Sequence, residues 1–336
     1  MRWRGILKAS GTSSREQNVV FPVSGVETPL WVPPAVAFTI SFFTSMGGLS
    51  GAFLLLPFQM SVLGFTSPAV TATNLLFNVV GIPAGVWGYV REGRMLWSLT
   101  WIIAAGSLPG VAVGGLVRLH WLPDPVAFKA FVGLVLLFIG GRLLADVLRW
   151  RRRAPRAVDP AAIPLHSRSS SAGGGGSRRD WDIQVTVRSR RRLAYRFRGD
   201  EYDCPPTVIF ALSLVVGIVG GIYGVGGGAL IGPFLVAVYG LPVHTIAGAT
   251  LMATFVTSVA GVAFYQIAAQ FGTTDGLAVA PDWALGALFG AGGLVGMYAG
   301  SRLQRYVPGR WLKVLLVIVL LWVAARYLVS FATARI

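Results

Sequence analysis

The sequence predicts an all-α polytopic membrane protein built from two repeated halves, each with about four hydrophobic segments. Three observations carry this. Hydrophobic residues make up 54% of the chain and charged residues only 12%, where soluble domains carry about 25% charged residues. The mean hydropathy is +0.66. Stretches such as WLKVLLVIVLLWVAARYLVSFA (311–332) and AFKAFVGLVLLFIGGRLLADVL (127–148) reach the length needed to cross a bilayer core.

The segments fall at 31–63, 66–90, 95–117 and 126–148, then at 207–240, 242–270, 282–303 and 311–333. They define a polar N-terminal arm (1–30), membrane repeat 1 (31–148), an Arg-rich linker (149–206) and membrane repeat 2 (207–336). The arm has basic residues but no apolar core with a small-residue cleavage site, so it is read as an arm and not as a signal peptide. The linker is Pro/Ser/Gly-rich at first and so flexible in composition. Its second part, DWDIQVTVRSRRRLAYRFRGDEY, alternates apolar and polar residues as a small β-hairpin does.

The net charge of +16 gathers between Arg142 and Arg198. Such a block marks the cytoplasmic side of the cell's inner (plasma) membrane and meets anionic headgroups there. Nucleic acid is not an expected partner. A single cysteine, Cys204, excludes an intrachain disulfide and a thiolate cluster. Three histidines and six methionines are too few for a copper path. No cofactor is called for.

The repeat is visible residue by residue. GGLSGAFLLLPF (47–58) lies over YGVGGGALIGPF (223–234), with Pro57 matching Pro233 at an offset of 233 − 57 = 176. The same offset carries Gly48 to Gly224, Gly51 to Gly227 and Gly85 to Gly261. Later, WSLTWIIAAGSLPGVAVG (97–114) lies over WALGALFGAGGLVGMYAG (283–300) at 283 − 97 = 186. Repeats of this kind are a signature of secondary transporters, whose sites lie at the repeat interface near mid-membrane and are built by discontinuous helices. If the chain turns back at the glycine runs, the repeats are inverted, and Arg302, Arg305 and Arg310 fall inside. The positive-inside rule favours that reading. The basic residues of the N-terminal arm argue for the parallel one.

Intramembrane carboxylates are nearly absent. Asp146 sits near a helix end, and Asp275 and Asp282 lie in a loop. A buried proton relay needs an Asp, Glu or His within the membrane, and a hydrolase needs a nucleophile with its base. Neither is expected, and the chain is not read as an enzyme. Neutral donors are present instead: Thr71, Thr73, Asn74 and Asn78 in the first half, and Thr250, Thr254, Thr257 and Ser258 in the second. Asn74 and Asn78 are four apart, as are Thr250, Thr254 and Ser258, so each set shares a helix face. At the repeat offset Asn74 matches Thr250 and Asn78 matches Thr254. Interhelical hydrogen bonding is the competing role for these residues.

The glycine runs supply a second element. A break there leaves backbone N–H groups at a helix N-terminus, where anions bind. Gly48, Ser50, Gly51, Gly226, Gly227 and Gly228 join Asn74, Asn78, Thr250, Thr254 and Ser258 as the candidate substrate-binding residues. The glycines of AGGLVGMYAG (291–300) are read as helix packing. Arg142, Arg326, Lys129 and Lys313, near helix ends, are read as snorkelling.

With its glycine run, Pro-terminated stretch and Thr/Ser helix in that order, GGIYGVGGGALIGPFLVAVYGLPVHTIAGATLMATFVTSVAG resembles the TauE/SafE sulfite-exporter family (TSUP). SMGGLSGAFLLLPFQMSVLGFTSPAVTATNLLFNVVGIPAG is its weaker twin. The resemblance covers both membrane halves and not the insert. It implies transport of sulfite, of sulfonates such as sulfoacetate, or of related organic anions. The first half departs from the motif at Met46–Ser50, where more glycines are usual. The expected partners are a small anionic substrate and membrane lipids, and a homodimer is compatible with the sequence. A non-transporting membrane scaffold, docking through its Arg-rich insert, is the alternative.

Overall fold

The structure, a computed structural model, describes residues 18–46, 50–91, 93, 95–152, 184–188, 193–197, 200–239, 241, 243–271, 276–303 and 309–334. The described chain is dominated by helices, and seven helical stretches, one of them Ala69–Arg91 taken as a whole, are long and apolar enough to cross a membrane. The protein is an all-α polytopic membrane protein.

The first hydrophobic segment is two helices, α1 (Val32–Met46) and α2 (Ala52–Ser61), and its counterpart in the second half is α7 (Pro206–Tyr223) and α8 (Gly227–Tyr239). The glycine runs are where each pair separates. Gly224 ends α7 in the left-handed region at φ +84°, with its N–H returned to the Gly220 carbonyl. Gly226 follows at φ +82°. Residues with a Cβ rarely adopt two such angles, and glycine does so freely. The second segment of the first half is also divided, into α3 (Ala69–Gly81) and α4 (Pro83–Arg91). Pro83 has no N–H to continue the ladder. Its counterpart α9 (Val243–Gln270) runs unbroken. α5 (Trp97–His120), α6 (Pro125–Arg152), α10 (Trp283–Leu303) and α11 (Gly309–Thr333) complete the two sets.

Helix packing follows the glycines. A Cβ at Gly106, Gly110 or Gly114 of α5 would collide with the carbonyl of Phe210, Leu214 or Ile218 on α7. Partner numbers rise together, so α5 and α7 run parallel. On the other side of the molecule, Gly292, Gly296 and Gly300 of α10 meet the carbonyls of Pro34, Phe38 and Phe42 on α1. The sequence offsets carry one contact set onto the other: 106 + 186 = 292 and 34 + 176 = 210, and likewise through both sets. α6 and α11 pack antiparallel, with Gly133 against Ala324–Leu328 and Gly140 against Leu320 and Leu321. Without a hydrophobic drive between helices in lipid, such close backbone approach is what holds them together. Tryptophans mark the interfaces: Trp31, Trp97, Trp121 and Trp283 lie at helix ends and are exposed.

Two small β elements flank the bundle. Within the polar arm, β1 (Asn18–Val20) and β2 (Glu27–Pro29) form an antiparallel hairpin. Ser24 at its turn donates from N–H and hydroxyl to Asp282 Oδ2, at 3.1 and 2.8 Å. Asp282 lies in the loop before α10, as the sequence predicts, and is buried there, capping α10 by accepting the Leu285 N–H. The alternating part of the linker is a three-stranded antiparallel sheet, β3 (Gln184–Arg188), β4 (Leu193–Phe197) and β5 (Asp200–Cys204), in that order. Cys204, at the end of β5, is buried. Burial, with Asp203 adding to it, pushes its thiol up to about 11.

The glycine contacts predict a contrast between two substitutions. Gly110→Val places a side chain onto the backbone of α7 and destabilises the bundle by about 1–3 kcal/mol, the usual range for overpacking. Gly141→Ala meets open space and leaves the melting temperature in detergent unchanged. Thermal unfolding followed by circular dichroism checks both.

Candidate functional site

The two chain breaks meet on α3, and two asparagines of that helix join them. Asn74 donates from its amide to the Ala52 carbonyl at the start of α2 (3.1 Å) and to the Gly224 carbonyl in the second break (2.9 Å). Its Oδ1 accepts from Gln59 Nε2 at 3.3 Å. Asn78 donates to the Val225 carbonyl at 2.9 Å and accepts the Ser50 hydroxyl at 3.3 Å. Each asparagine therefore ties an element of the first half to the glycine turn of the second. The physical need is plain: a helix interrupted inside a bilayer leaves carbonyls that no water reaches, and they must be satisfied by protein.

The same junction is closed by one aliphatic hydroxyl and two phenols. Thr71 donates to the Ile222 carbonyl at 3.2 Å, and Tyr265 to that of Gly221 at 3.2 Å. Tyr223 donates to the Phe53 carbonyl on α2 at 2.7 Å. Within α7 and α8 the turn is tight, and a Cβ on Gly224 would lie 2.6 Å from the Thr71 carbonyl oxygen.

On the other flank of the break stands α9. The Gly227 N–H at the start of α8 donates to Thr257 Oγ1 at 3.1 Å. Gly226 faces Ser258 and Thr254, and a Cβ there would come within 2.9 Å of Ser258 Oγ. Gly228 lies against Thr250 and Thr254. These α9 residues are about half-way along a 28-residue helix, so α8 begins deep in the membrane. The positive end of its dipole points into a cluster that holds no carboxylate.

The sequence-predicted residues are thus brought into one connected group, with different local roles. Ser50, Gly51, Asn74 and Asn78 surround the first break, and Gly226, Gly227, Gly228, Thr250, Thr254 and Ser258 surround the second. Gly48 lies outside the described residues. Thr250 and Thr254 donate to the Ala247 and Thr250 carbonyls of their own helix, at 3.1 and 2.7 Å, as such residues in helices often do. Ser258 is different: its hydroxyl is fully buried and has no hydrogen-bond partner. Ser41 on α1 is in the same condition, and its Oγ is 2.7 Å from where a Cβ on Gly51 would lie. An unpartnered buried hydroxyl therefore stands at each break.

Sequence reasoning did not single out Ser41 or Ser107. Ser107 donates to the Ser213 carbonyl at 3.2 Å and packs between Gly217 and Gly227. Its signal was its position among the glycines of the α5 packing stripe. Ser41 has no signal in the sequence beyond being polar within an apolar helix.

Replacing Asn74 by Leu keeps its bulk and strands the carbonyls of Ala52 and Gly224. Leaving a buried acceptor unsatisfied costs on the order of 1–3 kcal/mol. Asn74→Leu should lower thermal stability by that order, measured in detergent beside Asn74→Gln.

The comparisons with known proteins agree with this architecture. The family described as sulfite exporter TauE/SafE matches residues 34–327, from the start of α1 to near the end of α11. No curated protein and no solved structure is matched by the chain. With the match running through both broken helix pairs and the asparagines that join them, the chain belongs to the TauE/SafE sulfite exporter family.

Proposed function

We propose that the protein carries sulfite or an organosulfonate such as sulfoacetate across the inner (plasma) membrane, binding it where α8 begins and where the two breaks meet. The observation that carries this reading is the pair of unpartnered hydroxyls, Ser41 and Ser258, one at each break, inside a cluster of neutral donors. A sulfur oxyanion presents several acceptor oxygens and seeks donors. Hydroxyls, amides and a helix N-terminus provide them without a formal positive charge that would hold the anion too long.

The helix senses support an inverted-repeat reading. Crossings joined by short connections alternate in sense, and α1 runs with α10 while α5 runs with α7. These relations together set α1 opposite to α7. With α6 running against α11, the end of α10 and the start of α11, which carry Arg302 and Arg310, fall on the same face as the end of α6, where the Arg-rich linker begins, and this supports a cytoplasmic linker. With most of the site residues buried and the asparagine bonds closed across the halves, we read this conformation as occluded. Passage then requires the halves to part at Asn74–Gly224 and Asn78–Val225 and to close again behind the anion. An inside-negative potential drives a monovalent anion outward by about 2.3 kcal/mol per 100 mV, so export needs no coupling ion.

Counterflow of labelled sulfite in proteoliposomes tests the reading. The wild type should exchange sulfite, and an inside-negative potential should speed its exit. Ser258→Ala removes no hydrogen bond present in the occluded form, so it should leave stability intact while slowing exchange about tenfold, as should Ser41→Ala. Absence of exchange for sulfite, sulfoacetate and taurine alike would overturn it.

A further inference from the structure

At the far end of α5 stands the one arginine that is fully buried among the described residues. Arg118 is 0% exposed, although it lies only two residues from the end of its helix. Its Nη1 donates to the Leu122 carbonyl, which caps the end of α5. The face of its guanidinium rests on the Phe128 ring, with Cζ 3.8 Å from the centroid. Capping and stacking use one nitrogen and the flat face. Nε and Nη2 are buried and have no hydrogen-bond partner.

Those two nitrogens share one edge of the guanidinium. Their N–H groups point the same way, in the fork that receives two oxygens of a carboxylate, sulfonate or phosphate. A buried cation with an unused edge is costly unless something completes it. Asp124, an acidic neighbour that acts on it by charge, makes no hydrogen bond to that edge: its Oδ2 accepts the Ala127 N–H at 2.8 Å, at the start of α6. Tyr265, the other electrostatic neighbour, donates to the Gly221 carbonyl. Gly221 belongs to the last turn of α7, immediately before the glycine break. Gly114, one turn before Arg118 on α5, packs against Gly221, so Arg118 lies near the central cluster, on the side of the membrane opposite the linker, since α6 crosses between them.

We propose that the Nε–Nη2 edge of Arg118 is a second oxyanion site. It receives the anion in bidentate fashion between the central cluster and the face away from the linker. This rests on the transport reading for its role as a way station, but the site itself is a matter of anion binding. The central site is neutral and releases easily. A charged fork beyond it would draw the anion off and set the direction in which the anion is handed on.

The experiment compares the wild type with Arg118→Lys, which keeps the charge and loses the fork, and with Arg118→Gln, which loses both. Folding is checked by size exclusion and thermal melting. Two readouts are taken: stabilisation by sulfite and by methanesulfonate, against chloride, in detergent, and the concentration dependence of sulfite counterflow. The expected result is that both variants fold, lose most of the oxyanion-dependent shift in melting temperature, and raise the half-saturating sulfite concentration at least tenfold, while Ser258→Ala keeps the stabilisation at Arg118. Variants that fold and retain both the shift and the wild-type half-saturation would reduce Arg118 to a helix cap and overturn the proposal. A wild type that binds oxyanions through Arg118 but does not exchange them would overturn the transport reading and leave this site standing. Should neither variant fold, Asp124→Asn, which removes the negative charge acting on the guanidinium and leaves its fork in place, gives the same readouts: the oxyanion-dependent stabilisation should exceed that of the wild type, and an unchanged or smaller one would overturn the proposal.

Discussion

The structure depends on satisfying backbone carbonyls where helices stop inside a bilayer. Water cannot serve groups at that depth, so a break in a membrane helix survives only if side chains take its hydrogen bonds. Here Asn74 and Asn78 do so for both breaks at once, through Ala52, Gly224 and Val225. Two of these bonds, to Gly224 and Val225, cross from one half of the molecule to the other. The requirement that stabilises the breaks therefore also couples the halves. A cluster built this way is polar, neutral and closed, which suits brief occupancy by an anion.

Around that cluster the packing is governed by small residues. α5 lies on α7 and α10 lies on α1 through glycines four apart, backbone against backbone. The two interfaces are the same interface twice, related by the repeat. Close approach also explains Gly226 and Gly228, whose neighbours on α9 leave no space for a side chain. Glycine in the break thus answers two demands, the left-handed angles of the turn and the nearness of Thr250, Thr254 and Ser258. Anion binding is not needed to account for these glycines. In the transport reading proposed above, these glycines contribute by letting α9 approach the break.

Much of the fold was legible in the sequence because the repeat is legible. An offset of 176 aligns Gly51 with Gly227 and Pro57 with Pro233, and both positions begin or sit within the short helices after the breaks. An offset of 186 aligns the packing glycines. The alignment of Asn74 with Thr250 was informative about position and misleading about role. Asparagine donates both to Ala52 in its own half and across to Gly224 in the other, whereas threonine bonds back to its own helix. Periodicity cannot separate these, since both side chains occupy the expected face. The division at Pro83 is a single-residue event with no counterpart in α9. The burial of Asp282 depends on Ser24, 258 positions away. Arg118 escaped notice because an arginine near a helix end is ordinarily at the interface, and because its repeat position, 118 + 186 = 304, is Gln304. Only the packing of Phe128 and the turn at Leu122 seal it.

The position of a bound anion tests the central claim most directly. A structure determined with sulfite, or with the more electron-dense selenite, should place the anion against the Ser258 hydroxyl and the first turn of α8. The hydrogen bond from Asn78 to the Val225 carbonyl should be lengthened or broken to admit it. Density found only outside the cluster, with the Asn74 and Asn78 bonds unchanged, would contradict the account.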